Sequence, residues 1–328
     1  MIKITVGLIT YNRQDLLKRA LNSVLSQTYK NIEILIGNDF EKEKISYNSL
    51  GIKKNKKVKI YNHKKNLGER NNMNFLLKKC KTDWFIWLAD DDYFHKDLIK
   101  RLVFSLKGYK NKKDIVASFT NYSRFDLKNI VTKKKQHIYS TETFLEGYIS
   151  KKIRLIGVFG LIKTNILKKI GGIHKTGKSF TNFGKTTHHY PYCDILLPIL
   201  LSSHGKIIWL EEKLVYLNTD HLSISSRSDE YVVYKSAEKY VYSKLIKILN
   251  QKKIQSKFEV QKNMIDLFMQ TRLTVIQKKY FLENILLIVY YFFDFLIFYK
   301  DYKEILNIKK YLKYIYLLLR SILKSKKF

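Results

Sequence analysis

Asp90, Asp91 and Asp92 stand in immediate succession after the apolar run Trp84-Phe-Ile-Trp-Leu88. Three adjacent carboxylates repel one another and so favour a bound cation. Hard oxygen ligands suit Mg2+ or Mn2+, ions that commonly also hold a substrate phosphate. The competing reading is a solvated acidic turn capping the helix that follows. Another carboxylate, Asp194, precedes the apolar stretch Ile195-Leu-Leu-Pro-Ile-Leu-Leu201 and so falls at or near a helix start. Burial there would raise its pKa and the helix dipole would lower it. From position alone it is either a plain N-cap or a general base. His188 and His189 are neighbours, so their rings point different ways. A surface loop is expected for them rather than a two-histidine metal site. His221 is a further loop histidine, in Asn-Thr-Asp-His-Leu-Ser.

These groups need a frame. Trp84 to Leu88 has the length and content of a buried strand. In a sheet covered by helices, ligands bind beyond the carboxyl ends of the strands, which is where the triplet falls. Ile2 to Ile9 is a β-rich apolar run, as a central parallel strand should be. Thr10-Tyr-Asn-Arg13 breaks it, and Asp15 to Gln27 follows with helical spacing of Leu16, Leu17, Ala20, Leu21, Val24 and Leu25. Ile32 to Ile36 is a second strand, ending in Gly37-Asn38-Asp39. Val58 to Tyr61 is a third. Asn66-Leu-Gly-Glu-Arg70 is a turn into a helix from Asn72 to Cys80. The order strand, helix, strand, strand, helix, strand describes an α/β nucleotide-binding half with a parallel sheet. The strand ends at Thr10 and Asp39 then share one sheet edge with the triplet. Neither G-x-G-x-x-G after the first strand nor G-x-x-x-x-G-K-[ST] anywhere is present. Phosphate charge must instead be met by metal and basic side chains.

The chain has 328 residues and a formal charge of +34, from 62 Lys plus Arg against 28 Asp plus Glu. That field favours an anionic partner: nucleic acid, acidic lipid or a phosphorylated substrate. Part of the excess fits a coding bias towards Lys, Asn, Ile, Tyr and Phe. Nucleic acid is the weaker choice, because basic and aromatic residues are spread along the chain and the triplet repels phosphate without a metal. Cys80 and Cys193 give neither a disulfide framework nor zinc spacing, which suits a reducing compartment. The first residues read as a strand and lack a signal-peptide pattern, so a cytoplasmic location is expected.

Six segments in order carry a resemblance: Val6-Gly-Leu-Ile-Thr-Tyr-Asn-Arg13, Ile32 to Phe40, Asn66-Leu-Gly-Glu-Arg-Asn-Asn-Met-Asn74, Trp87-Leu-Ala-Asp-Asp-Asp92, Gly157 to Ile173, and Cys193 to Leu210. Together they resemble the inverting glycosyltransferases of family 2, with the GT-A fold, over about Ile2 to Arg227. Two departures stand out: Asn38 and Phe40 flank Asp39 where the family has a second acid and Ser or Gly, and Cys193 precedes Asp194 where the family has Glu.

The resemblance implies a mostly parallel sheet flanked by helices. It divides the chain into a catalytic domain over 1–229, with a donor half to about 95 and an acceptor half from 96, and a helical, basic region over 230–328. It implies that Thr10, Tyr11, Asn12, Arg13, Asp39, Asn66, Gly68, Arg70, Asp90 and Asp91 serve the nucleotide-sugar donor. Asp92, with Asp90 and His221, would hold Mn2+ or Mg2+, and Asp194 would be the general base. Arg70 has a structural ion pair as its alternative. Lys151, Lys152 and Arg154 would either meet an acceptor phosphate or form a solvated charge run. The expected activity is transfer from a nucleotide-sugar, chiefly a UDP-sugar, to a saccharide or lipid-linked acceptor in capsule, O-antigen or lipooligosaccharide synthesis. A sugar-nucleotide pyrophosphorylase would need a Gly-rich basic loop after the first strand, and Thr10-Tyr-Asn-Arg13 is not one.

Residues 231–328 hold 20 Lys plus Arg against 7 Asp plus Glu and read as helix. Ile285 to Tyr299 is too short for a membrane span, which needs roughly 20 apolar residues. Asn307 to Lys327 sets Ile308, Leu312, Ile315 and Leu319 on one face with lysines around it, a pattern suited to an anionic bilayer. Peripheral contact with the inner face of the cytoplasmic membrane through 280–328 is the expectation. The alternative is a helical subdomain packed on the catalytic core.

Overall fold

A computed structural model describes residues 2–107, 114–124, 135–179, 181–182, 185–186, 189–218, 231–279 and Tyr316. The elements in chain order are β1 (Ile4–Thr10), α1 (Gln14–Leu25), β2 (Ile32–Asn38), β3 (Val58–Asn62), α2 (Glu69–Lys79), β4 (Trp84–Ala89), β5 (Tyr93–Phe94), α3 (Leu98–Lys107) and β6 (Ile115–Ser123). Then come β7 (Gln136–Tyr139), α4 (Thr141–Ile149), β8 (Leu161–Lys163), α5 (Thr164–Lys169), β9 (Thr181–Asn182), β10 (Lys185–Thr186), α6 (Cys193–Ser202) and β11 (Lys206–Tyr216). Two long helices follow, α7 (Tyr231–Gln251) and α8 (Lys257–Lys279).

The main sheet runs β3-β2-β1-β4-β8-β6-β11-β5, with β7 also paired to β11. The first four strands are parallel, as the apolar runs led us to expect. Strand β8 enters antiparallel between β4 and β6, and β5 and β7 run antiparallel to β11. Register sets the functional edge. Thr10 pairs with Asn38, and Ile9 with Ala89, so β1, β2 and β4 end at one level.

The period-2 alternation of β4 divides the core. Trp84, Ile86 and Leu88 join Leu17, Leu21, Leu98 and Leu102 on the α1 and α3 side. Phe85 and Trp87 face Met73, Leu76, Leu197 and Leu201 on the α2 and α6 side. The Trp87 indole N–H donates to the Met73 carbonyl at 3.1 Å, fixing α2 over the strand. Gly7 is required where β1 passes under Phe85, since a Cβ there would lie 2.6 Å from the ring.

One alternative reading falls and one helix boundary moves. The triplet does not cap a helix: it forms a turn into β5, and α3 begins only at Leu98. Helix α2 begins at Glu69, not Asn72, because Gly68 adopts φ +80° and supplies the N-cap. Glu69 thereby enters the first helical turn.

Helices α7 and α8 bury a shared apolar cluster against α4 and α6, in which Val241, Leu245, Met264 and Phe268 meet Leu145, Ile149, Leu196 and Ile199. The boundary expected at 229 falls outside the described residues, as do His188 and His221. The Ile285–Tyr299 run and, Tyr316 apart, the Asn307–Lys327 face also fall outside them. Among the described residues no helix is long and apolar enough to cross a membrane.

Candidate active site

The three strand ends converge on the acidic turn. The Thr10 hydroxyl donates to Asp90 Oδ2 at 2.7 Å, and the Tyr11 N–H also bonds this carboxylate. Arg13 Nη1 lies 2.8 Å from Asp91 Oδ2 and 3.4 Å from Asp90 Oδ1. Burial opposes the Arg13 charge, but these acids outweigh it and raise its pKa. Arg19 Nη2 donates to the Asp91 carbonyl at 2.6 Å. The turn itself rests on Asn12, which takes the left-handed φ of 53° that asparagine tolerates well. It leaves Tyr11 45% exposed, with its ring edge-on to Phe40 at 5.3 Å.

At the end of β2, Asp39 faces inward. Its two oxygens accept the Leu67 and Gly68 N–H groups, each at 2.7 Å. Burial raises its pKa, and these two bonds hold it back. Asn66 Oδ1 accepts the same Gly68 N–H at 2.7 Å. Asp39, Asn66 and Gly68 are thus brought together as the loop that launches α2. Arg70 Nη1 donates to Asn71 Oδ1 at 2.8 Å, and its enclosed Nε has no hydrogen-bond partner among the described residues.

Asp92 is held from the other side of the site, by the chain that follows β11. Its Oδ1 accepts the Asn218 N–H, beyond β11, at 2.9 Å. Only 8% of it is exposed. Burial, reinforced by the charges of Asp91 and Asp90, pushes its pKa up to about 8. Asp90 is pushed by burial and Asp91 to about 6, with Arg13, Thr10 and Tyr11 opposing. Asp90 and Asp91 thus pair with Arg13, whereas at Asp92 burial and the two neighbouring acids outweigh the Asn218 N–H and the charge of Arg19. Among the described residues no three His, Cys, Asp or Glu side chains form a ready metal cluster.

Asp194 lies in the first turn of α6, after Tyr192 in the left-handed region at φ 60°. Burial raises its pKa, against the His189 charge and N–H groups of its own helix end. Asp92 and Asp194 line one cavity of about 320 Å3, the small end of the range for ligand pockets. Glu69, Asp91 and His189 line it as well, with Trp87, Tyr192 and Tyr234 among its aromatic walls. His189 is not on a surface loop: its Nδ1 pairs with Glu69 Oε2. Reading the sequence missed Glu69, Tyr192, Tyr234 and the place of His189. The glycine before Glu69 was the available signal for the first of these.

Lys151, Lys152 and Arg154 are exposed, and none lines the cavity. Lys151 Nζ bonds Gln270 Oε1 at 2.6 Å, and the Arg154 guanidinium lies over Tyr122 at 5.7 Å. They behave as the solvated run.

Gly157, in the 3₁₀ turn Gly157–Phe159, sits against the start of α6. A Cβ there would lie 2.0 Å from the Asp194 carbonyl oxygen and 2.7 Å from Pro198 Cδ. Gly157→Ala must displace the start of α6. Loss of about 1–3 kcal/mol of stability is expected from the overpacking. Any activity that depends on the Asp194 carboxylate is expected to fall by about tenfold or more as that group is displaced. Thermal melts and initial rates on the purified variant check both.

A mixed sheet flanked by helices, with its acidic turn and cavity at the carboxyl ends of β1, β2 and β4, defines the GT-A class of nucleotide-diphospho-sugar transferase folds. The chain belongs to glycosyl transferase family 2, whose family model matches residues 5–171. An uncharacterized glycosyltransferase of Rickettsia typhi is 30% identical over 190 residues, 57% of this chain and 56% of the relative. A Haemophilus influenzae relative, also an uncharacterized glycosyltransferase, is 31% identical over 144 residues, 42% of this chain and 56% of that protein. The chain thus spans little more than half the length of these relatives. Among solved structures, residues 1–349 of S. aureus TarS superpose with TM-score 0.58 at 14% identity, covering 87% of this chain and 76% of TarS 1–349. The same protein in complex with UDP-GlcNAc gives 0.52 at 16% identity, covering 84% and 83%. At these identities the likeness shows the fold.

Proposed function

We propose that this chain is an inverting glycosyltransferase that moves a sugar from a nucleotide-diphosphate donor, a UDP-sugar in the simplest reading, to a hydroxyl of a saccharide or lipid-linked acceptor. The observation that carries the proposal is the cavity shared by Asp92 and Asp194, residues far apart in the sequence. UDP-GlcNAc in the complex of the TarS neighbour supports the choice of donor class.

Asp194 is the proton acceptor. As the acceptor hydroxyl oxygen bonds the anomeric carbon, its proton passes to the Asp194 carboxylate. The bond from that carbon to the diphosphate oxygen breaks on the opposite face, and its electron pair leaves with the nucleoside diphosphate. A general base in this role contributes about 10²–10⁴-fold. Among the described lining residues the cavity carries Glu69, Asp91, Asp92 and Asp194 and neither Lys nor Arg. A diphosphate meets repulsion there unless a cation intervenes. Asp92 is the residue that fits such an ion, being buried and flanked by carboxylates whose charges outweigh the opposing charge of Arg19. Mg2+ or Mn2+ held there supplies Lewis-acid neutralisation of the leaving diphosphate. His221 is the second ligand expected from the sequence and lies outside the described residues. Asp90 and Asp91 anchor Arg13 and the Thr10–Arg13 turn on the donor side. Asp39 serves the donor by shaping the loop of Asn66 and Gly68. The basic, one-faced pattern of 280–328 supports contact with an anionic membrane, where a lipid-linked acceptor would lie.

Calorimetry tests the ligand class. UDP is expected to bind in the presence of Mn2+ and much more weakly in its absence, while a DNA oligomer binds weakly and with a steep salt dependence. Tight DNA binding with no response to UDP and Mn2+ would replace this reading with a nucleic-acid-binding one.

A further inference from the structure

We propose that the Glu69–His189 ion pair is a positioning device for Asp194: it ties the segment that leads into the base to the donor-side helix α2, and sets a cation beside the proton-accepting carboxylate. The inference rests on the transferase reading above and adds two residues to it.

The geometry comes from three anchors on one short segment. His189 meets Glu69 through Nδ1 and Oε2. The Pro191 carbonyl accepts the Thr176 hydroxyl at 2.6 Å. The Tyr192 hydroxyl donates to Glu238 of α7 at 3.2 Å. Asp194 follows two residues later, so its place in the cavity is fixed by what holds 189–192. Of the three anchors, only the first comes from the donor side. Glu69 is available because Gly68 starts α2 early, and an acid in a first helical turn is favoured by the helix dipole. Glu69, His189 and Asp194 all line the same cavity.

The charges agree with this arrangement. Burial alone would depress the His189 pKa, but Glu69 and then Asp194 outweigh it and raise it. Burial would also raise Glu69, and His189 with Arg13 brings it below the ordinary value. Among the described residues, the titratable groups facing Asp194 are His189, Glu69, Cys193, Tyr148 and Tyr234. Among these His189 is the cation. It offsets part of the burial that would otherwise keep the base protonated.

The test follows the His189 imidazole directly by NMR, using the histidine signal that is absent in His189→Gln. In the wild type its titration midpoint is expected above the ordinary 6.5, and it is expected to move down in Glu69→Gln, which removes the largest charge raising it. Glu69→Asp, which keeps the charge, should restore part of the shift. On the rate side, His189→Gln is expected to move the acidic limb of kcat to higher pH with less than about threefold change in the donor KM. An ordinary or lower midpoint in the wild type, or one indifferent to Glu69→Gln, overturns the pairing. An unmoved acidic limb in His189→Gln, with the wild type active, overturns its positioning of Asp194. If the wild type releases no nucleoside diphosphate from any donor, the transferase reading fails and takes the role of the pair with it. The imidazole titration separates these failures because it needs no turnover.

Discussion

Asp194→Asn is expected to lower nucleoside-diphosphate release by about 10²–10⁴-fold while the protein stays folded. Asn has the shape of Asp but cannot take the proton from an acceptor hydroxyl. The side chain sits in the first turn of a helix whose apolar face packs in the core, and that packing does not need the charge. The loss should appear in kcat rather than in the donor KM, because the proton moves only as the new bond forms. The wild-type rate should rise with pH along an acidic limb, since the base must be ionised. Burial places that limb above the usual carboxylate range. Initial rates from pH 4 to 9 on both proteins check the magnitude and the limb together. A variant within threefold of wild type would remove Asp194 from the chemistry.

Asp92→Asn is expected to cost about 10²-fold or more in turnover. It is also expected to make the metal-free protein more stable at pH 8. The pKa of Asp92 is raised from 3.8 to about 8, so the folded chain holds a proton that the unfolded chain has already released. For such a group stability is greatest at low pH and is lost as pH climbs from about 4 to about 8. Asn carries no such penalty. In EDTA the two proteins should melt together near pH 4 and diverge towards pH 8, by on the order of 5 kcal/mol and roughly ten degrees or more in Tm. Mn2+ should raise the wild-type Tm at pH 8 by mass action and leave the variant unmoved. Asp90, raised in the same direction to about 6, is present in both proteins, but its charge is one of the causes that lift Asp92, so the divergence reports the coupled pair. Equal melting curves at every pH would show that the Asp92 carboxylate is not a cation-seeking group.

Much of this site was legible in the chain itself. β1, β2 and β4 are mostly apolar runs of six or seven residues, and each leads into a polar break. That pattern alone brings Thr10, Asp39 and the triplet to one edge. The base was legible as an acid ahead of an apolar helix. The antiparallel strands were not, because β5 and β8 are two and three residues long and have no period to read. β7 is hidden for a related reason, since its four residues alternate only between half-buried and exposed. Nor was the Glu69–His189 pair legible. It joins residues 120 positions apart, and one of them looked like part of a polar loop. Asp39 shows a different limit. Its position at a strand end was readable, but the two backbone N–H groups that occupy its oxygens come from a loop whose shape depends on the left-handed Gly68. The packing of α7 on α6, which brings Tyr234 to the cavity, depends on side chains meeting across the whole chain.

The most direct test of the central claim is nucleoside-diphosphate release measured across a panel of nucleotide-sugars with the purified chain. The shared cavity of Asp92 and Asp194 predicts that at least one donor, expected to be a UDP-sugar, is consumed only when Mn2+ or Mg2+ is present, and that either Asp→Asn change abolishes the signal. Consumption of no donor under any metal, or full turnover in both variants, would contradict it.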